Sequence, residues 1–224
     1  MENETLAVPS VRKRGRPVGA DSERTRLTIM RAARDIIAER GYQAATFQQI
    51  AQRAGVSRPT LHYYFATREE LYDKLLADVC ERMENCATTA LCEGSLLAQL
   101  AAFTRELHRL GEAEPALMKL VMTARIDHHR AVHRHQAAAA IVAAVHAFYD
   151  GAVAHAVRRG ELDAGNDPRA VADMLAALFW GFGFHTGFLA EDSSAELTSE
   201  VARQLMRMVR SGLLNGAVAA AIDA

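Results

Sequence analysis

A chain of 224 residues, half of them hydrophobic, is long enough to form one large domain or two small ones around an apolar core. Its net charge of -1 gives no whole-chain reason to expect a polyanionic partner. The charge is unevenly distributed, however, because residues 1–65 hold 11 of the 26 basic and 6 of the 27 acidic residues, a net charge of +5. Any polyanion would therefore be bound by the N-terminal part of the chain.

The first 20 residues have no hydrophobic periodicity and contain proline, glycine and a cluster of basic side chains, which predicts a disordered basic tail. Within it Arg14-Gly15-Arg16-Pro17 resembles the core of an AT-hook, in which arginines lie in a narrow, A·T-rich minor groove. Arg14 and Arg16 are candidate DNA contacts, and the alternative is a merely solvated tail. The tail lacks the apolar stretch of a secretory signal, and an odd number of cysteines favours no disulfide framework, so we expect a cytoplasmic protein.

A first helix is predicted after this tail, because Asp21 or Ser22 can cap it and apolar residues then recur at helical spacing. The stripe comprises Leu27, Ile29, Met30, Ala33, Ile36 and Ile37. Gly41 is expected to end the helix, since glycine enters the left-handed conformation without a steric penalty.

Residues 46–65 predict two short helices joined by a tight turn. Thr46 and Gln49 form a capping-box pattern ahead of an apolar helix face, and Gly55 follows as a stop. Ser57 can cap the second helix. That helix would bury two side chains and turn four outward: it buries Leu61 and Phe65 and exposes Arg58, Thr60, His62 and Tyr63. A helix-turn-helix presents its second helix to the DNA major groove in this way, whereas an ordinary helical hairpin is the alternative.

The flanking sequence favours the helix-turn-helix. Residues 26–79 resemble the DNA-binding domain of the TetR family of bacterial regulators, at Ala32-Ala33, Gly41-Tyr42, Ile50-Ala51, Ala54-Gly55-Val56-Ser57, Leu61, Tyr64-Phe65 and Glu69-Glu70-Leu71. The resemblance implies a three-helix DNA-binding domain at residues 21–66, followed by a helical effector-binding and dimerisation domain at residues 67–224. It also implies a homodimer on a pseudo-palindromic operator, with recognition helices in successive major grooves.

On this resemblance, side chains in and around the second short helix would meet DNA. The candidates are Thr46, Gln48, Ser57, Arg58, Thr60, His62, Tyr63, Tyr64 and Arg68. The tyrosine rings would press on bases and phosphates, and Arg68 lies at the positive end of a long helix, which favours a phosphate. Phosphate contacts would position the dimer, and a few contacts to base edges would specify its site.

A long helix is predicted from Thr67, which forms a second capping-box pattern with Glu70. Its apolar residues recur at steps of four and three: Tyr72, Leu76, Val79, Met83, Cys86 and Ala90. Because this helix begins inside the DNA-binding domain and continues into the next, we expect it to act as a lever. Helical patterns then follow at residues 96–110, 115–127, 131–159, 168–190 and 194–215, so the predicted fold class is all-α.

The stretch Val171–Leu189 is the one candidate for a membrane span, but its Asp173 and His185 favour a buried helix. Gly183 and Gly187, four residues apart, would admit a partner helix or leave room for a ligand, and packing within one chain is the alternative. In the family this helix and the last one form the dimer interface. A suitable stripe on the last helix is Leu197, Val201, Leu205 and Met208.

Histidines are concentrated between His128 and His135. His129 and His133 would share one helix face and could bind a divalent metal together with Asp127. Neighbouring arginines oppose a second positive charge there, which favours a solvated helix start, so we expect neither metal nor cofactor. The chain has no Gly-Lys-Ser/Thr phosphate loop, His-Glu-x-x-His pair or Gly-x-Ser-x-Gly elbow and is not expected to be an enzyme.

The predicted function is transcriptional regulation by a repressor that a small apolar or aromatic effector releases from its operator. The effector would be bound by side chains on the helices that enclose the family's ligand cavity: Phe103, Met118, Met122, Phe148, Trp180 and Phe184. Methionine and aromatic side chains adapt to apolar ligands, although plain core packing is the alternative. Two other functions stay open: a metal-sensing regulator that uses the His128–His135 cluster, and an architectural DNA-binding protein without a ligand.

Overall fold

The computed structural model of the chain describes residues 18–114, 116–130, 136–185, 188 and 195–213. These residues form nine α-helices and contain no strand, which confirms the predicted all-α class. In chain order the helices are α1 (Val18–Arg40), α2 (Phe47–Ala54), α3 (Arg58–Tyr64), α4 (Arg68–Leu91), α5 (Leu96–Ala113), α6 (Ala116–Arg130), α7 (Gln136–Arg159), α8 (Pro168–Phe184) and α9 (Ala195–Leu213).

The two short helices, α2 and α3, are set by local hydrogen bonds that the sequence predicts. Oγ1 of Thr46 accepts from the backbone N–H of Gln49, and Oε1 of Gln49 accepts in return from the backbone N–H of Thr46 over 3.0 Å. Gly55 ends α2 with a φ angle of 67°, a backbone conformation that residues with a Cβ rarely adopt. Ser57 then caps α3 by accepting from the backbone N–H of Thr60.

Helix α1 begins earlier than predicted. It starts at Val18, so Asp21 and Ser22 lie inside the helix instead of capping it, and the predicted tail is shortened by three residues. Its apolar stripe is buried as expected except for Leu27, which is 51% exposed. At 3.6 residues per turn Leu27 lies about 120° around the helix from Ala33, at the edge of the buried face.

Helix α4 carries the predicted buried stripe along its whole length. All six of its stripe residues are buried, and Thr67 caps the helix by accepting from the backbone N–H of Glu70. The predicted capping box would have the Glu70 carboxylate accept from the backbone N–H of Thr67. In the structure it accepts instead from the backbone N–H of the preceding residue, Ala66, over 2.9 Å. The helix packs against α1, α5, α6 and α7 and so connects the N-terminal helices to the rest of the chain.

Helix α7 lies at the centre of the C-terminal helices, packed against α4, α5, α6 and α8. Its Phe148 stacks on Phe103 of α5 with ring centroids 3.9 Å apart, and Tyr149 and Phe179 extend this aromatic cluster. Among the described residues, α7 rather than Val171–Leu189 is the one helix whose length and composition would suit a membrane crossing. Its apolar faces are occupied here by the surrounding helices.

The structure bears on two expectations for α8 and α9. A Cβ at Gly183 would lie 2.6 Å from Cε of Met122, so this glycine admits a methionine side chain of α6 and not the backbone of a partner helix. On α9, Met208 is 62% exposed, as a side chain that faces a second copy would be in a single chain, whereas Val209 is buried on the side of α9 that packs against α5. Gly187 and the side chains at positions 197 and 201 lie outside the described part of the chain.

The N-terminal helices and the C-terminal helices share one core. Helix α1 packs against α4 and α6 as well as α2, and buried residues of α1 through α9 join a single apolar cluster. The division at residues 66 and 67 stays a prediction. A shift of α6 would reach α1 through direct contact and not only along α4.

Candidate DNA interface and ligand cavity

The outer face of α3 exposes a cation, an imidazole and a phenol. Arg58 and His62 are exposed, and Tyr63 is 81% exposed. The His62 ring lies edge-on to Phe47, with centroids 5.0 Å apart, and the Tyr63 ring lies edge-on to Tyr64, at 5.2 Å. These contacts restrain rings that stay on the surface. Such a face can contact both phosphates and base edges.

Three hydroxyls predicted to contact DNA have partners in the helix caps. Ser57 Oγ lies 2.7 Å from Thr60 Oγ1 and also accepts the backbone N–H of Thr60. Thr46 Oγ1 donates to Oε1 of Gln49 over 2.9 Å. These groups position α2 and α3, whereas Gln48 is exposed on α2 without such an engagement in the hydrogen bonds of the described residues.

Arg68 is held at the start of α4 by the loop between α1 and α2. Its Nη1 donates to the carbonyl oxygens of Gln43 and Ala45, each 3.2 Å away, and its guanidinium lies 4.6 Å from the centroid of the Tyr42 ring. The structure thus gives Arg68 a packing function within the helix-turn-helix. A phosphate at this point would share a guanidinium that already has protein partners.

Tyr64 joins α3 to the beginning of α1, since its hydroxyl donates to Oγ of Ser22 over 3.3 Å. The basic tail therefore leads into a helix whose first turns contact the predicted recognition helix. Arg14 and Arg16 themselves lie outside the described residues, and their contact with DNA stays a prediction.

A cavity of about 960 Å³ lies between the helix-turn-helix and the C-terminal helices. Most of its wall is apolar, from Leu100, Phe103, Leu107, Met118, Tyr149, Leu175, Leu178, Phe179, Phe182, Leu205 and Met206. One side belongs to α1 and α2 and is charged: Asp35, Glu39 and Arg53. Arg53 binds both carboxylate oxygens of Glu39, at 2.9 and 3.0 Å, and this hydrogen bonding lowers the pKa of Glu39.

Two of the six predicted pocket residues, Phe103 and Met118, line this cavity. Two more lie one layer behind its wall, because Phe148 is stacked under Phe103 and Met122 is packed against Gly183. These four side chains belong to one region of the structure.

Trp180 and Phe184 lie elsewhere. The guanidinium of Arg125 lies 5.6 Å from the Trp180 ring, and Phe184 is 42% exposed with its ring 5.4 Å from that of Phe188. The face of α8 toward the cavity carries other residues, and at 100° per residue positions 180 and 184 point away from it.

The sequence analysis did not predict the residues on the cavity-facing side of α8 or those that lie opposite them. Leu175, Phe179 and Phe182 recur at helical spacing on α8, which is a signal for one common face, yet only the tertiary arrangement brings it opposite Tyr149. No sequence signal places Arg53 of the helix-turn-helix in the same wall, because that requires the packing of α1 against α6.

The proposed metal cluster falls mostly outside the described residues. His129 is exposed, and the side chains at positions 127, 128, 133 and 135 are not described. Within the described ranges no three histidine, cysteine, aspartate or glutamate side chains come together as a metal site would require. Cys80, Cys86 and Cys92 are free thiols.

Comparison with known proteins identifies the N-terminal part of the chain. The family model "Bacterial regulatory proteins, tetR family" matches residues 29–75. The HTH-type transcriptional activator FasR of Mycolicibacterium smegmatis is 43% identical over 60 residues, which cover 27% of this chain and 26% of FasR. That match spans about a quarter of the relative's length.

Other similarities extend over most of the chain. The HTH-type transcriptional regulator SrpR of Pseudomonas putida is 25% identical over 185 residues, covering 81% of this chain and 84% of SrpR. The crystal structure of a gamma-butyrolactone receptor (ArpA-like protein) superposes with a TM-score of 0.69 at 21% identity, covering 89% of this chain and 93% of that one. Both curated relatives are named as transcriptional regulators, and neither name denotes an enzyme.

Proposed function

We propose that the chain, whose residues 29–75 match the TetR family of bacterial regulators, is a DNA-binding transcriptional repressor that a small apolar or aromatic effector releases from its operator. It would act in the cytoplasm, as a homodimer on a pseudo-palindromic operator. The observation that carries the proposal is the cavity, which has the size of a small-molecule site, is mainly apolar and borders the helix-turn-helix directly.

Operator binding would depend on the exposed face of α3. Arg58, His62 and Tyr63 would meet phosphates and base edges, and Gln48 of α2 would add a contact beside them. Two such faces related by a two-fold axis would have to reach major grooves about 34–36 Å apart. Binding is therefore sensitive to any change in the separation of the two recognition helices.

An effector in the cavity would have two routes to that separation. It would touch α1 and α2 through Asp35, Glu39 and Arg53, and it would move α6 against α1. To release DNA, it must bind the DNA-incompetent arrangement more tightly than the competent one, since equal affinity for both would shift nothing. The gamma-butyrolactone receptor with the same fold is named for a small-molecule ligand, which supports this kind of regulation here.

Support for the homodimer comes from an exposed stripe on α8. Met174, Leu178, Gly181, Phe184 and Phe188 are exposed at steps of four and three along the chain. Large exposed apolar patches mark association surfaces in soluble proteins. A second copy of the chain, placed through a two-fold axis, would cover this stripe with its own.

The proposal is tested on an operator selected from random DNA. Fluorescence anisotropy measures affinity with and without a panel of neutral apolar and aromatic compounds, and at least one is expected to weaken binding tenfold or more. Ala101→Trp, which places an indole in the cavity wall, should abolish the response to that compound, whereas Ala113→Trp, on the exposed end of α5, should not. Release of the operator by Zn²⁺ alone would favour the metal-sensing regulator. If no compound released the operator, the result would favour the architectural DNA-binding protein.

A further inference from the structure

Tyr149 is a polar side chain set in the apolar part of the cavity. It lines the cavity from α7 and is 7% exposed. Its ring is surrounded by Phe103, Phe148 and Phe179, with centroids 6.1, 5.0 and 6.3 Å away. None of these neighbours can accept a hydrogen bond in the way an oxygen does. None of the hydrogen bonds of the described residues involves the Tyr149 hydroxyl, and burial alone accounts for its raised pKa.

The other polar side chains of the wall are hydrogen-bonded, ion-paired or less buried than Tyr149. Thr104 donates its hydroxyl proton to the carbonyl oxygen of Leu100 over 2.9 Å. His108 lies 3.3 Å from the Glu112 carboxylate. Tyr149 is thus the buried hydrogen-bond donor of the wall that has no acceptor within the described structure.

The Tyr149 hydroxyl stays protonated under ordinary conditions, because burial raises the pKa of this phenol far above its usual value. A neutral phenol donates a hydrogen bond more strongly than it accepts one. A ligand that supplies an acceptor gives this hydroxyl a hydrogen bond, whereas a wholly apolar ligand would shut it off from water without one, which is costly.

We infer that the effector is a mainly apolar molecule with a hydrogen-bond acceptor, of the carbonyl kind, that receives the proton of the Tyr149 hydroxyl. The inference rests on the proposed function, since it names the chemistry of the ligand for the same cavity. The aromatic residues around Tyr149 would enclose the body of the ligand. Tyr149 would select among ligands of equal size by the presence and position of one oxygen atom.

The test uses two neutral fluorescent probes of similar size. Prodan carries a ketone whose emission moves to the red when its oxygen accepts a hydrogen bond, and N-phenyl-1-naphthylamine has no carbonyl. Both are titrated into the parent protein, Tyr149→Phe and Thr104→Val. The threonine variant is the matched control, because it also removes a hydroxyl from the cavity wall, one whose proton is already donated to Leu100.

We expect both probes to bind the parent. Tyr149→Phe should weaken prodan about tenfold, the worth of one hydrogen bond, shift its bound emission to the blue, and leave N-phenyl-1-naphthylamine within twofold. Thr104→Val should leave both probes within twofold. An equal loss of both probes in Tyr149→Phe, or no loss of prodan, overturns the inference and leaves the cavity as a ligand site. Failure of either probe to bind the parent at all counts against the proposed function itself, and the inference falls with it.

Discussion

The guanidinium of Arg34, in α1, lies 3.4 Å from the carboxylate of Asp78, in α4, and also pairs with Glu114 at the end of α5. Arg82 binds the same two carboxylates, at 3.1 and 2.9 Å. Arg34 is nearly fully buried. Two arginines and two carboxylates therefore join the helix-turn-helix, the long helix and a wall of the cavity in one charged cluster.

Replacement of Arg34 by methionine keeps much of its volume but leaves two partly buried carboxylates with a single arginine. The free energy of unfolding should fall by about 3 kcal/mol, since removal of one partner leaves charge uncompensated. Arg31→Met, an exposed position on the same helix, should cost much less. Guanidinium chloride titrations followed by circular dichroism measure both, and equal losses in the two variants would contradict the assigned cluster.

The short helices could be predicted from sequence because their signals are local. Thr46, Gln49 and Ser57 act within three residues of their partners, and Gly55 acts through its own backbone. The same holds for the buried stripe of α4, where one helix face needs only a periodic pattern.

The cavity could not be predicted to the same extent, because its wall is assembled from seven helices. Apolar helix faces predict Phe103 and Met118, whereas the rotation of α8, which no local pattern reveals, keeps Trp180 and Phe184 out of the cavity wall. Arg68 illustrates a related difficulty: its charge suggests a phosphate, while its geometry assigns it to loop carbonyls that no pattern links to it.

The exposed face of α3 should dominate operator affinity. Arg58→Ala is expected to cost about 1–3 kcal/mol of binding free energy, as does the loss of a charged contact to a base or phosphate. Tyr63→Phe should cost about 1 kcal/mol if its hydroxyl bonds a phosphate, with no change in salt dependence because no charge is lost. Anisotropy on the selected operator measures both, and Arg158→Ala, at the far end of α7, is the control. Parent-like binding by Arg58→Ala, His62→Ala and Tyr63→Ala, all folded, would exclude α3 as the recognition helix.

The basic tail should contribute affinity that depends on salt. A chain that starts at Val18 is expected to lose nearly one unit of the slope of log affinity against log salt for each phosphate contact that the tail makes. If Arg14 and Arg16 enter the minor groove, the double alanine variant should lose more on A·T-rich than on G·C-rich flanks. A salt slope that the truncation leaves unchanged would exclude phosphate contacts by the tail, and the prediction for α3 would be unaffected.

The three thiols should differ in reactivity with iodoacetamide. Burial, and the Glu84 carboxylate beside it, raise the pKa of Cys80 to about 11, and burial raises the pKa of Cys86, whereas Cys92 is exposed. Mass spectrometry at pH 8 should find Cys92 modified first and the other two only on unfolding. The unfolded chain loses the Cys80 proton near the ordinary thiol pKa of 9.0, so this group's contribution to stability is full below pH 9 and is lost as pH rises toward 11. Rapid labelling of Cys80 in the folded protein would contradict its burial.

A charge at the centre of the α8 stripe should separate the proposed dimer. Gly181 is exposed, and a Cβ there would meet no atom within 4 Å, so Gly181→Glu introduces no clash within the chain. In the dimer the carboxylate would be pressed between apolar side chains or against its own symmetry mate, and either arrangement opposes association. Sedimentation velocity at micromolar concentration should give a dimer for the parent and a monomer for the variant.

Ala154→Glu, an exposed position on α7, is the matched control and should stay dimeric. Operator affinity should fall at least 100-fold when the dimer is lost, because one recognition helix cannot hold two half-sites. A Gly181→Glu chain that sediments as a dimer would move the interface away from α8.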